Sequence, residues 1–499
     1  MSDILFRSSV MAAKIEDTEG VLKWPTGGAD AVALQDDLDI TPAFESLENA
    51  EIRASIGRAK AIQGVENPTT SFSHYLKHSG TEGTEPSMGK FFQGLFGAKT
   101  VNATEYNTAV GSTVSQLMVA DGTNFERGQG LLIKDGVNGY RIRAVEQVSG
   151  NALIMSFHVP NAPASGVGLG KAILYKPTNE DHPSLSVFAH IGNGGAIQAM
   201  SGAMVVSADI SIAAGELINT AFSLEGLESY FNPVEILAGN RWMEWTDDDG
   251  AKAIALELKT YKDPYELAAA LQSAMNAVTD ETITVSYSDS TGKFSFAATG
   301  SVFTLRWDSG SNSANSIGET LGFDVADDDT GATSYEADNE QAYDFAYSAT
   351  FDDSDPNVAK DNEIMVGDSE HLACVGASSV DFTITNTRAV KDSVCARSGR
   401  VGGMFTEREV EVSITQRLQK HEVDKWRRFR SNADIRFQYS FGQKEGGNWV
   451  AGRCGLLYIP KGTITEFNIS EADGLAVLEM TISGYVGADS GGEVYLNFL

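Results

Sequence analysis

The sequence predicts a mainly β protein: β-sandwich or β-barrel-like modules, each with a short helix, interrupted by an inserted small β unit and an inserted α+β module. Three observations predict it. From Ser201 to Leu227, Met204, Val206, Ala208, Ile210 and Ile212 alternate with Val205, Ser207, Asp209, Ser211 and Ala213. After a turn at Ala214-Gly215-Glu216, the period resumes in Ile218, Thr220, Phe222 and Leu224. Period two places successive side chains on opposite faces of a strand, so this is a long hairpin with one buried face. Second, 50 glycines stand against 12 prolines, as suits many turns between strands. Third, the acidity is uneven: residues 234–344 hold 21 Asp and Glu against 6 Lys and Arg, which is 6 − 21 = −15 of the chain's −31. Such a composition shift marks a domain boundary.

The chain's 499 residues exceed one ordinary core, so two to four domains are expected. Mean hydropathy of -0.16 and 42% hydrophobic residues describe a soluble, well-packed protein. No apolar run is long enough for a membrane-spanning helix. The opening MSDILFRSSVMAAKIEDTEG lacks a continuous apolar stretch, which argues against a signal peptide. Cys374, Cys395 and Cys454 are odd in number and have no CxxC spacing, which favours unpaired thiols made in a reducing cytoplasm. A net charge of −31 disfavours nonspecific nucleic-acid binding, which depends on Lys and Arg, but suits a surface along which DNA slides.

In order along the chain, residues 1–110 are strand-rich with one helix in SMGKFFQGLFGA. Thr84 is the expected N-cap, Pro86 lies in the first turn and Gly97 is the stop. Residues 111–172 form a small β-barrel-like unit whose strands are separated by Asp121-Gly122, Asp135-Gly136, Asn138-Gly139 and Ser149-Gly150 turns. Residues 173–233 return to the first module. The acidic insert, 234–344, holds a helix with Asp263 as N-cap, Pro264 at N1 and Glu266 at N3; Leu267, Leu271 and Met275 form its apolar face. Residues 345–499 form a second module of long strands around a helix at about Gln419–Arg430, with Val423, Trp426 and Phe429 as its stripe. Strands with a helix thus occur twice, without residue-level identity.

These segments resemble a known family. TGGADAVALQDDLDITP, IGRAKAIQGVENPTTSFSHYLKHSG, GTEPSMGKFFQGLFGA and the hairpin closing on Gly226-Leu227 are similar to tail tube (major tail) proteins of long-tailed (siphovirus-type) bacteriophages. EVEVSITQRL, GLLYIPKGTITEFNISEADGLAVLEMTISGYV and the final EVYLNF fit as well. The resemblance covers about 1–110, 180–232 and 370–499. It implies a structural, non-enzymatic virion protein, made in the host bacterial cytoplasm, whose copies close into rings that stack into a tube for DNA ejection. Its partners would be other copies of itself, the tape measure protein, and the tail terminator and distal tail proteins. DNA would be transient cargo, with no membrane and no cofactor. Two modules per chain would favour a trimer with pseudo-sixfold symmetry over a hexamer. The two insertions exceed what a minimal tube protein needs, and the acidic one would project outward. The N-terminal arm (1–35) and loops 43–66 are candidates for ring-to-ring contacts. A host-recognition or adhesin-like surface protein, and a β-sandwich hydrolase acting on surface polysaccharide, remain as alternatives.

Residues with chemistry to offer give no catalytic pattern. His74 and His78 have metal-ligand spacing for a helix, but SFSHYLKHSG alternates like a strand. Asp247–Asp249, Asp327–Asp329 and Asp352–Asp355 lack the EF-hand spacing and read as turns. GVGLG at 166–170 fits neither a dinucleotide nor a Walker loop, and no GxSxG occurs. No metal or catalytic residue is therefore assigned. The candidate subunit-interface residues are Lys425, Arg427, Arg428 and Arg430 on the basic helix, facing an acidic neighbour. The candidate lumen-facing residues are Ser207, Asp209 and Ser211, the polar face of the hairpin.

Overall fold

Period-two runs of sequence become long antiparallel strands in the computed structural model. It describes residues 9–35, 39–51, 59–192, 195–300, 302–341, 355–368, 376–419, 423–472, 474–487 and 491–499. Cys374, His371, His421 and Asp352–Ser354 lie outside the described residues. In chain order, the elements that build the site begin with β1 (Asp39–Thr41), β2 (Thr69–Tyr75), α1 (Gly89–Phe96), β3 (Gly97–Asn102) and β4 (Ala172–Pro177). Next come β5 (Ala196–Ala213), β6 (Asn219–Glu225), α2 (Pro264–Asn276), β7 (Glu363–Gly367), β8 (Ala377–Asp392) and β9 (Arg400–Arg417). The last are α3 (Val423–Ser431), β10 (Ile435–Glu445), β11 (Asn448–Ala472), β12 (Leu475–Gly484) and β13 (Tyr495–Phe498).

The chain divides into two compact units. The smaller comprises Met1–Ala12, Val187–Met200 and Glu228–Ser348. Its centre is α2 packed beside antiparallel strands at Ile283–Ser288 and Lys293–Ala298, with a four-stranded sheet around Trp242–Asp247. Asp263 caps α2 by accepting from the Glu266 N–H at 2.8 Å, and Glu266 accepts from the Lys262 N–H at 2.8 Å. Leu267, Leu271 and Met275 are buried with Trp245, Phe294, Phe296 and Trp307 in one core. The expected cap and apolar stripe are therefore present. The Asp247–Asp249 cluster is a hairpin turn, with Asp247 paired to Gly250.

The larger unit comprises Ala13–Ser186, Ser201–Leu227 and Ala349–Leu499. Successive pairings give a first sheet in the order β1-β2-β6-β5-β8-β9-β12 and then the C-terminal half of β11. A second sheet runs β7-β10-β11-β13-β4-β3, using the N-terminal half of β11. The 25-residue β11 thus passes from one sheet into the other. Helix α1 lies between them: Phe91 meets Phe72 and Phe222 of the first sheet, while Phe92 meets Phe222 on one side and Tyr175 and Phe498 on the other. Each fully buried Phe contributes roughly 1.5–3 kcal/mol of transfer free energy. Residues 106–169 form a separate six-stranded sheet with its own core, and a Thr108–Val119 bridge joins its outer strands.

Two expectations need correction. Helix α1 starts at Gly89, not after Thr84: the Thr84 N–H donates to Thr81 and the Gly89 N–H to Pro86, so residues 81–88 are turns before the helix. The stop at Gly97 is as expected, at φ 101°. In β5 the strict alternation breaks at a bulge between Val205 and Ser207. Val205 is fully buried and Val206 half-buried, so the inward phase changes before Ala208, Ile210 and Ile212 resume it. A bulge adds one residue to one strand, which a periodicity count cannot register.

Candidate functional site

The first sheet has one face on the core and one open. On its inner face lie Phe72, Phe222, Ile210, Phe382, Val412 and Ile482, all buried. Strand register places the opposite side chains in rows. One row runs Ser73, Ala221, Asp209, Thr383, Glu411, Ser483, Thr463. The next runs Tyr75, Asn219, Ser211, Asp381, Ser413, Thr481, Glu466. A third runs Asp39, Ser71, Ser223, Ser207, Thr385, Glu409. All of these are half-buried or exposed. Six are carboxylates, most of the rest are hydroxyls, and none is Lys or Arg.

Ser207, Asp209 and Ser211, the sequence candidates, therefore sit together on this open face. Cross-strand hydrogen bonds fix them: Thr383 Oγ1 donates to Asp209 Oδ1 at 2.8 Å, and Ser211 Oγ donates to Asp381. Charge-assisted bonds of this kind hold the carboxylates in place rather than leaving them as free side chains. Sequence reasoning missed Asp381, Thr383, Glu409, Glu411 and Glu466. Their alternation is visible in VDFTIT and EREVEVSIT, but which parity shares a face with Asp209 depends on strand order and register.

Behind the sheet, α1 is locked by residues distant in sequence. Asn386 Nδ2 donates to the Leu95 carbonyl at 3.0 Å, and Arg408 donates to the Phe96 carbonyl at 3.4 Å. These satisfy carbonyls at the helix end that have no intrahelical partner. Arg408 also pairs with Glu493 at 3.0 Å and donates to His182 Nε2 at 2.8 Å. Burial, with the Arg408 charge beside it, pushes the His182 pKa down to about 4, so its ring is a neutral acceptor. Elsewhere in the unit Glu16 is buried: one oxygen accepts from Ser186 and the Gly202 N–H, the other from Ser184 and the Gly20 N–H. Desolvation raises its pKa above the usual value, against the lowering effect of these bonds.

The basic helix candidates separate into two kinds. Arg428 pairs within the chain, with Asp424 at 2.7 Å and Asp368 at 2.8 Å, and Lys425 donates to Gln416 at 2.9 Å. Arg427 and Arg430 are exposed, with no ion-pair partner among the described residues. No residue of α3 is buried. Trp426 and Phe429 pack on Phe467 of β11, and Leu418, Val423, Trp426, Phe467 and Ile469 line an open apolar groove of about 700 Å³.

His74 and His78 are buried rather than arranged as ligands; His78 stacks on Phe441. Among the described residues no group of three or more His, Cys, Asp or Glu is placed to hold a metal ion. Cys395 is exposed and Cys454 buried. No described helix is long and apolar enough to cross a membrane.

The comparisons agree with this geometry. No curated protein matches the chain. The model of the phage tail tube protein family matches residues 7–232, a span that contains β1 to β6 and α1. Residues 7–232 are thus similar to phage tail tube proteins, which supports a component of the virion tail.

Proposed function

We propose that copies of this chain close into rings and that the rings stack into the tail tube of a long-tailed phage, the conduit for DNA ejection. The observation that carries the reading is the open face of the first sheet, with six carboxylates in its three rows and no Lys or Arg. A surface of that kind facing the lumen repels phosphate and offers no cation to retain DNA. Its function is geometric, without a catalytic step. Rings remove the sheet's unpaired ends, and head-to-tail stacking, which does not close, gives a filament. The tape measure, terminator and distal tail proteins would meet the ends of such a tube.

Two tube modules per chain, one from about 1–110 with 173–233 and one from 345–499, support three copies in a pseudo-sixfold ring. The arrangement β1-β2-β6-β5 is followed in the first sheet by β8-β9-β12-β11, four strands from each half. The acidic insert is read as outward decoration. Negative-stain micrographs of the concentrated protein test the proposal. Stacked rings with a central hole are expected; discrete particles at every concentration would contradict it.

A further inference from the structure

The first sheet contains its own template for the joint between copies. β5–β6 and β11–β12 are both hairpins with one bulge, between Val205 and Ser207 in the first and between Ile464 and Glu466 in the second. Superposing the bulges sets Asp209-Ile210-Ser211 on Asn468-Ile469-Ser470. Following the registers outward, Phe222↔Phe72 falls on Met480↔Ile414, and Asp39↔Ser71 falls on Asp381↔Ser413. Asp39-Ile40-Thr41 of β1 then corresponds to Asp381-Phe382-Thr383 of β8. A pairing outside this chain of registers agrees: Phe44↔Glu66 falls on Asn386↔Arg408. The arms between them, Asp39 to Ser71 and Asp381 to Ser413, have equal length.

Within the chain the two halves join where β5 meets β8: Asp209↔Thr383, Ile210↔Phe382, Ser211↔Asp381. The same two strands recur as the outer edges of the sheet. Among the described residues, β1 pairs only with β2, and residues 466–472 of β11 pair only with β12. Ile210 at the inner joint is 4% exposed, whereas its counterpart Ile469 at the edge is 60% exposed. Helix α1 is covered by Asn386 and Arg408 of the β8–β9 hairpin, whereas α3 is left with its groove open. The hairpin Phe44–Leu47 with Ile62–Glu66, counterpart of that cover, exposes Phe44, Leu47 and Ile62. By sequence the segment 44–66 carries Glu45, Glu48, Glu51 and Glu66 against Arg53, Arg58 and Lys60, so its match to the groove is apolar rather than a matter of net charge.

We propose that the β11 edge pairs with β1 of a second copy in the register Asn468↔Thr41, Ile469↔Ile40, Ser470↔Asp39, and that the Phe44–Glu66 hairpin of that copy covers the α3 groove. The hydroxyl–carboxylate pair Ser211–Asp381 is then repeated as Ser470–Asp39. The contact is heterologous, β-strand addition of one edge to a different one, so it propagates into a ring. It assigns the Phe44–Glu66 hairpin to contact within a ring rather than between rings. The inference rests on the ring reading above, but specifies which residues meet.

Two singly substituted chains test it, Asp39→Cys and Ser470→Cys, each in a Cys374→Ser, Cys395→Ser background. Mixed, assembled and oxidised, they should give disulfide-linked dimers that neither gives alone. Thr41→Cys mixed with Ser470→Cys, two residues out of register, should give few. Rings without a 39–470 link would overturn the register, and Ser470→Cys linking to itself would show a two-fold contact instead. Absence of rings from the unsubstituted chain would sink the ring reading and this inference with it. Hydrogen exchange on the unsubstituted protein needs no variant: amides of 39–41 and 467–471 should slow at least about tenfold on assembly. Unchanged exchange there would overturn the pairing.

Discussion

Arg408 shows how one residue ties the two halves of the sequence together. Its guanidinium reaches a helix carbonyl, the Thr178 carbonyl, His182 and Glu493, and both it and Glu493 are 10% exposed at the side chain. Removing one member of a buried pair leaves the other charge uncompensated, at a cost of about 3–5 kcal/mol. Arg408→Met should therefore lower the unfolding free energy by that order, measured by denaturant unfolding, and adding Glu493→Gln should recover part of the loss. Glu16 offers a pH test. Its folded pKa is raised by burial, so its contribution is fully present below the unfolded value, near 4.5, and is lost as pH rises through the raised value. The stability advantage of wild type over Glu16→Gln should be greatest at or below about pH 4.5 and narrow towards neutrality, read from urea midpoints at each pH. A constant difference across that range would contradict the sign. Neither residue was legible as important in the sequence, because their partners are far along the chain and only the fold assembles them.

Individual elements were more legible than their ends. The Ser201–Leu227 hairpin, the stripe of α1 and the Asp263 cap of α2 follow from periodicity and capping chemistry, which are local. What local rules missed was the start of α1, where Pro86 closes a turn of its own, and the β5 bulge. Gly97 is the instructive success. It ends α1 at φ 101°, and a Cβ there would lie 2.0 Å from Thr178 Oγ1. Both the backbone and the space require glycine, so Gly97→Ala should destabilise the protein by about 1–3 kcal/mol, measured by thermal or denaturant unfolding. A neutral effect would mean that the helix end can rearrange.

For the whole molecule, total charge was a poor guide and its distribution a good one. About half of the −31 lies in residues 234–344, outside the first sheet. The candidate lumen rests on Asp39, Asp209, Asp381, Glu409, Glu411 and Glu466, which five strands, β1, β5, β8, β9 and β11, bring onto one face. Composition could show the insert, and alternation could show Asp209, but only strand order joins it to Glu411. The insert should be dispensable: excising residues 234–341 should leave tubes visible by negative stain, and their loss would count against its placement as decoration. Replacing Asp209, Asp381 and Glu411 by Lys changes the rows from −6 to −6 + 6 = 0 and puts three cations on that face. Tubes should still assemble, while DNA release through them slows and becomes salt-dependent, because phosphate contacts release counterions. The most direct test is a cryo-electron microscopy reconstruction of tubes assembled from the unsubstituted chain. The account predicts that Asp209, Asp381 and Glu411 line the central channel. A map placing that face on the outer surface, or buried between stacked rings, would contradict it.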